Sequence, residues 1–155
     1  MDFDRRRISA VADMQFGRGA SEALFSGSTN IVKSKQTGKI RNVLCDGSHV
    51  VSMRAEDGLF TLKIAGGLQL HKRMKFPLLR VVVTDDAVPF IKDGKSLFAK
   101  FVSDCDPDLR PYDECLLVDR QDTYLGIGRT LLTRQEMLSF QHGVAVKTRD
   151  SYKDG

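Results

Sequence analysis

Gly94-Lys95-Ser96-Leu97-Phe98-Ala99-Lys100-Phe101-Val102 is answered further along the chain by Gly143-Val144-Ala145-Val146-Lys147-Thr148-Arg149. Both read as short apolar strands in which Lys or Arg stands beside small residues. A cation can then reach outward while the backbone stays open to close approach. That pairing of features suits a phosphate backbone better than a buried small substrate.

The residues around these two stretches set the local fold. Leu79–Val83 reads as a strand, followed by a helix from Asp85 to Lys92 with Thr84 as its cap. Strands near Leu97–Val102, Glu114–Asp119 and Tyr124–Arg129 come next. A helix over Arg134–Phe140 opens on the capping-box pattern Thr133 to Glu136, and Val144–Arg149 is the closing strand. So many short strands with two brief helices predict a closed or nearly closed small β-barrel. Gly126 and Gly128 fall on the same face of one strand, where a tight barrel bend explains them better than the approach of another backbone.

The first half carries a different pattern. Ile8, Val11, Ala12 and Phe16 recur at helical spacing from Asp4 to Phe16, with Asp4 as the expected N-cap. A short helical turn follows over Ser21–Phe25. Gln36-Thr37-Gly38, Asp46-Gly47 and Asp57-Gly58 then separate strands at Asn30–Lys35, Lys39–Cys45, Ser48–Ala55 and Leu59–Ile64. The fold class expected is therefore α+β: an antiparallel sheet with a covering helix, then the barrel. With Val32, Ile40, Leu44, Val51, Met53, Phe60, Leu62 and Ile64 turned inward, alternation places Lys33, Lys35, Lys39, Arg41, Arg54 and Lys63 together on the other face. Solvation of a half-buried sheet accounts for those cations about as well as a polyanionic partner does.

Another helical turn around Gly67 to Arg73 leads to Pro77, which restrains its predecessor, and the charge balance changes sign nearby. Residues 1–75 carry 13 Lys+Arg against 7 Asp+Glu, and residues 76–155 carry 11 against 13, so the halves stand at +6 and −2. The boundary is placed here, giving domains 1–75 and 76–155. Hydrophobic residues at 41% and charged residues at 28% are ordinary for a globular protein. No apolar run is long enough to span a bilayer, and the charged N-terminus is no secretory signal, so no membrane partner is expected. Cys45, Cys105 and Cys115 are odd in number and far apart, which argues against a disulfide framework or a zinc site and for a cytoplasmic location. No metal or other cofactor is expected. His49, His71 and His142 join no recognisable Ser, Cys or Asp constellation, and no catalytic residue is assigned.

Several fragments in order carry a resemblance. In the second half these are Gly94–Val102, Asp106-Pro107-Asp108-Leu109-Arg110-Pro111-Tyr112-Asp113-Glu114, Leu125-Gly126-Ile127-Gly128-Arg129, Glu136-Met137-Leu138 and Gly143–Arg149. In the first half they are Ala12-Asp13-Met14-Gln15-Phe16-Gly17, Ser34-Lys35-Gln36-Thr37-Gly38-Lys39-Ile40-Arg41 and Arg54-Ala55-Glu56-Asp57-Gly58-Leu59-Phe60-Thr61-Leu62. The second half resembles a PUA domain, a small RNA-binding β-barrel. The whole resembles the C-terminal tRNA-binding domains of archaeal tRNA-guanine (archaeosine) transglycosylases. That family's catalysis resides in a zinc-containing (β/α)8 barrel of about 250 residues, which 155 residues do not accommodate.

The resemblance implies an RNA-binding protein, with tRNA as partner, assisting archaeosine-type modification as a non-catalytic subunit of a separately encoded transglycosylase. The alternative it leaves is a protein-interaction subunit that stabilises an RNA-modifying enzyme and has little RNA affinity. By motif it nominates Gly94, Lys95, Ser96, Phe98, Ala99 and Lys100 as RNA-binding, with Arg129, Lys147 and Arg149 nearby and Lys39, Arg41 and Arg54 on the first sheet. Gly94 and Ala99 would admit sugar-phosphate to the main chain, and the cations would neutralise phosphates. Phe98 and Val102 alternate as packing residues do, and Lys147 and Arg149 also fit the solvent face of an edge strand.

Overall fold

Ile8, Ala12 and Phe16 lie buried along one stripe of α1 (Phe3–Phe16) in the computed structural model, which describes residues 2–153. The cap is Asp2 rather than Asp4: Oδ1 of Asp2 accepts from the Asp4 N–H at 3.1 Å. Asp4 is drawn off instead to Lys33, 2.6 Å away. The chain divides into two compact units, Met1–Met74 and Lys75–Gly155.

In the first unit, α2 (Ala20–Phe25) follows α1 directly, and Asp13 of α1 accepts from the Ser21 N–H at 2.8 Å and its hydroxyl at 3.0 Å. Strands β1 (Thr29–Lys33), β2 (Ile40–Cys45), β3 (Ser48–Met53) and β4 (Phe60–Leu62) form an antiparallel meander in chain order, and α3 (Ile64–Arg73) closes the unit. Gln15 ties α1 to edge strand β4, donating to the Phe60 carbonyl at 2.9 Å and accepting from the Phe60 N–H at 2.7 Å. Two backbone groups of an edge strand are thereby satisfied away from water. The core gathers Ile8, Leu24, Val43, Val51, Phe60, Leu62 and Leu70, each burial worth about 1.5–3 kcal/mol for side chains of this size.

Strict alternation does not survive in this sheet. Ile40, Val51, Phe60 and Leu62 are buried as expected, but so are Val43 and Val50, while Val32 is exposed and Leu44 and Met53 are half-buried. Register shifts between Val32 and Lys33 and between Val43 and Leu44 explain this, because a bulge moves every later side chain to the other face. The two outer turns also take more chain than the strands were expected to leave. Ser34 N–H donates to Lys39 O, and Arg54 N–H to Leu59 O, both at 2.8 Å, so β1 and β3 stop short of Lys35 and Ala55. Ile64 opens α3 rather than ending β4.

The second unit is a six-stranded, nearly closed barrel of order β6-β10-β9-β8-β5-β7. Its elements are β5 (Arg80–Val83), α4 (Val88–Lys92), β6 (Leu97–Phe98), β7 (Val102–Cys105), β8 (Glu114–Val118), β9 (Tyr124–Thr130), α5 (Arg134–Ser139) and β10 (Val144–Ser151). All pairings are antiparallel except β5 with β8, where Val81 stands opposite Leu117. Val81, Val83, Ile91, Leu97, Cys115, Leu117, Leu125, Met137 and Val146 fill the interior.

The expected continuous strand over Leu97–Val102 is two strands joined by a 3-10 turn, Ala99–Phe101. The reason is topological: β6 and β7 lie at opposite ends of the sheet order, so the chain must cross the barrel seam there. The helix expected from Asp85 likewise begins as a 3-10 turn (Asp85–Ala87), and α4 starts only at Val88, where Pro89 suits a first turn. Thr84 makes no cap; its hydroxyl donates to Asp86 at 2.6 Å. The capping box at Thr133 and Glu136 is complete.

Gly126 and Gly128 answer to the neighbouring backbone. A Cβ on Gly126 would lie 2.4 Å from the Asp150 carbonyl oxygen, and one on Gly128 2.7 Å from that of Lys147. The close approach of β10, rather than a bend alone, requires glycine at both places. Among the described residues no helix is long and apolar enough to cross a membrane.

Candidate nucleic-acid interface

The turn after α4 is built to present side chains outward. Val88 and Ile91 face the core, leaving Pro89, Phe90 and Lys92 on the outer side of α4. Gly94, at φ 83°, donates to Ile91 O at 2.9 Å, and Lys95 N–H donates to Phe90 O at 3.0 Å. The tight reversal this enforces leaves Gly94 and Lys95 exposed and Ser96 half-buried. Leu97, 1% exposed, then anchors β6, so Phe98 beside it points out with 47% of its surface accessible.

Phe98 is therefore a surface aromatic and not the packing residue its alternation with Val102 suggested; Val102 is buried. Ala99 differs in the other direction. Its side chain lies in the core and its N–H donates to Gly143 O at 2.9 Å, so neither group is open to a ligand. Lys100 is exposed, with Nζ 5.1 Å from the centre of the Phe101 ring.

Strand order brings β6, β10 and β9 side by side, with Phe98 opposite Val144 and Lys147 opposite Arg129. Lys147 is exposed. The two arginines are held by partners within the fold. Arg129 donates from Nε to the Tyr112 carbonyl at 3.2 Å and lies over the Tyr112 ring at 5.5 Å. Arg149 forms a two-pronged bond with Glu114, whose side chain is wholly buried, Nη2 to Oε2 being 3.1 Å. Lys95, Lys100 and Lys147 are thus the exposed cations outside any ion pair among the nominated C-terminal residues described, while the two arginines brace the corner between β8 and the segment before it.

In the first unit, Lys39 and Arg41 are exposed at the start of β2. Arg54 is less available: its side chain is 16% exposed, 3.5 Å from Asp57, and donates to Phe60 O at 3.4 Å. Lys33, expected on the same face, pairs with Asp4.

Sequence reading missed Phe90 and Lys92. With Pro89, Asp93 and Lys95 they line a shallow cleft of about 400 Å³, and Phe90 is 53% exposed. The available signal was helical phase, since Val88 and Ile91 fix which side of so short a helix turns out. The acidic run at Asp104, Asp106 and Asp108 serves structure. Asp106 accepts from the Leu79 N–H at 2.7 Å, and Asp104 pairs with Arg134 at 3.0 Å. Cys105 is no nucleophile: burial, then the nearby Asp106, pushes its thiol up to about 12.

Two family descriptions match. Residues 6–77 match the patch-forming domain C2 of tRNA-guanine transglycosylase, and residues 79–152 match the PUA domain. Among curated proteins, the tRNA-guanine(15) transglycosylase of Thermococcus kodakarensis is 48% identical over 145 residues, covering 94% of this chain and 25% of that protein. The enzyme of the same name from Methanothermobacter thermautotrophicus is 45% identical over 146 residues, covering 94% of this chain and 22% of that protein. The chain spans about a quarter of the length of these relatives. Of solved structures, a hypothetical protein from Pyrococcus horikoshii OT3 superposes with a TM-score of 0.74 at 22% identity, over 97% of this chain and 91% of that one. A conserved PUA domain protein from Thermoplasma acidophilum gives 0.68 at 17% identity, over 97% and 90%. At such identities these two speak for the fold alone.

Proposed function

We propose a role from one premise: residues 6–77 belong to the patch-forming C2 domains of tRNA-guanine transglycosylase and residues 79–152 to the PUA domains. The chain binds RNA and works in tRNA modification. More finely, it binds tRNA and assists archaeosine-type base exchange as a non-catalytic subunit, the chemistry being supplied by a transglycosylase catalytic domain on a separate polypeptide.

The observation that carries this reading is a set of exposed lysines near β6 and β10. Lys95, Lys100 and Lys147 stand free of ion pairs among the described residues, on adjoining strands and turns, with Phe98 between them in the sequence. Phosphates meet ammonium groups there without breaking any internal bond, and counterion release then drives association. An exposed ring beside lysines also offers a base a flat surface to stack on.

Anisotropy of a labelled tRNA transcript titrated with the full chain at several salt concentrations tests it. Three phosphate contacts predict a slope of log affinity against log salt of about −2.1 to −2.7. An affinity indifferent to salt would overturn the reading. Tight association with a transglycosylase and negligible RNA affinity would point instead to a protein-interaction subunit.

A further inference from the structure

Arg110-Pro111-Tyr112-Asp113 makes a tight turn just before β8. The Asp113 N–H donates to the Arg110 carbonyl at 3.2 Å, and Tyr112 sits at φ 72°. Proline second and a positive φ third is the pattern of a type II turn, whose third position favours glycine because a Cβ there is strained. A tyrosine occupies it instead, with 61% of its surface accessible. We propose that Tyr112 is a platform on which one unpaired base of a bound RNA stacks, the flanking phosphates being met by Arg110 and Lys147. The inference rests on the RNA-binding role proposed above and gives it a base-holding residue.

Three features support the assignment. The first is how firmly the strained turn is held. The buried Thr130 hydroxyl donates to the Arg110 carbonyl at 2.5 Å and accepts from the Asp113 N–H at 3.0 Å. Its N–H donates to the Asp113 carbonyl at 2.9 Å, and its carbonyl accepts from the Tyr112 N–H at 2.7 Å. A costly backbone conformation persists only where its surroundings over-determine it, and such residues gather at functional sites.

The second feature is a ring already in position. Arg129 lies over the Tyr112 ring, 5.5 Å from its centre, and donates from Nε to the carbonyl of the same residue at 3.2 Å. One guanidinium therefore holds both the backbone and the ring, while the residue stays largely exposed. Little side-chain freedom remains to be lost when a ligand arrives.

The third feature is charge. Lys147 stands opposite Arg129 on β10, and Arg110 lies two residues before the ring. Both are exposed, and neither joins an ion pair among the described residues. The carboxylates that follow the ring in sequence are already engaged: Asp113 accepts from the Arg110 N–H at 2.9 Å, and Glu114 holds Arg149. An open ring with a cationic rim suits a base carrying its own phosphates and disfavours a basic peptide.

The probes are a short fluorescently labelled oligoadenylate and a ribose-phosphate oligomer of equal length without bases, each titrated with the full chain by anisotropy. Tyr112→Gly is expected to weaken oligoadenylate binding about fivefold or more, the lower end of what one stacked base supplies, and to leave the base-free oligomer unaffected. Tyr112→Phe keeps the ring and the affinity. The chain has no tryptophan, and the other tyrosines, Tyr124 and Tyr152, pack ring to ring at 5.2 Å. Oligoadenylate should therefore quench tyrosine emission of the unmodified chain and not that of Tyr112→Phe. Glycine also relieves the turn, so the urea midpoint of Tyr112→Gly holds or rises. A lowered midpoint would assign the ring to the fold and overturn the platform, as would equal losses on both oligomers or no loss on either. A tRNA transcript titrated alongside separates the two readings. Salt-dependent tRNA binding with oligoadenylate indifferent to Tyr112→Gly overturns the platform alone, and binding of none of these RNAs overturns both.

Discussion

Arg149 and Glu114 meet as a closed fork over the intervening strand β9, the glutamate side chain wholly buried and that of the arginine about a quarter exposed. Arg149 is one partner of a carboxylate buried at that depth, and removing a charged partner from a buried pair is costly. Arg149→Ala is therefore expected to destabilise the second unit by about 3 kcal/mol, at the low end for broken buried pairs. Urea unfolding monitored by circular dichroism measures it. A midpoint equal to that of the unmodified chain would show that Glu114 finds another partner.

Lys95 and Lys100 should behave in the opposite way. Both are exposed and neither braces the fold, so Lys95→Ala combined with Lys100→Ala leaves the urea midpoint in place. The salt slope of RNA binding flattens by about 1.4–1.8 units if each lysine neutralises one phosphate. The same titration on Arg149→Ala separates a charge that binds from a charge that folds.

Gly128 tests the close pairing of β9 and β10. An added methyl group would meet the Lys147 carbonyl at 2.7 Å and a Val146 methyl at 2.6 Å. Gly128→Ala is expected to cost about 1–3 kcal/mol, the range for overpacking a tight interior. A denaturation midpoint shifted by less than half that amount would mean the strands separate easily.

Alkaline pH should weaken the second unit. Burial holds the Cys105 thiol at about 12 and also raises the Cys115 thiol and the Tyr124 phenol above their ordinary values. Groups whose folded values lie above their unfolded ones contribute stability that is complete below the unfolded value and is lost as pH climbs towards the folded one. The window for Cys105 opens at its ordinary value of 9.0 and runs to about 12. Thermal melts should show Tm falling from about pH 9 upward, the unfolded thiols and phenol ionising first. A Tm that stays level to about pH 10.5 would contradict the burial of these groups.

Much of this could be read from the residues alone. The Asp46-Gly47 and Asp57-Gly58 turns and the Thr133–Glu136 box are local signals that held, whereas the cap signals at Asp4 and Thr84 did not. Where alternation was asked to fix faces it failed at Val43 and Val50, since a bulge leaves no mark in composition. Site residues divide along the same line. Lys95 and Lys100 sit beside a glycine turn and are exposed, as their neighbours imply. The commitment of Arg149 to Glu114 spans 35 residues and depends on β8 and β10 both flanking β9, which no window of sequence reveals.

Strand β10, tenth in order along the chain, is inserted between β6 and β9. Until it arrives, β6 lacks its only neighbour among the described strands and β9 keeps one bare edge. A polypeptide emerging from the ribosome must therefore wait for its final sheet element before the second unit becomes cooperative. During that interval the two open edges invite pairing with other nascent chains. Expression at low temperature or with chaperone support should raise the yield of folded material more than any change to the surface lysines.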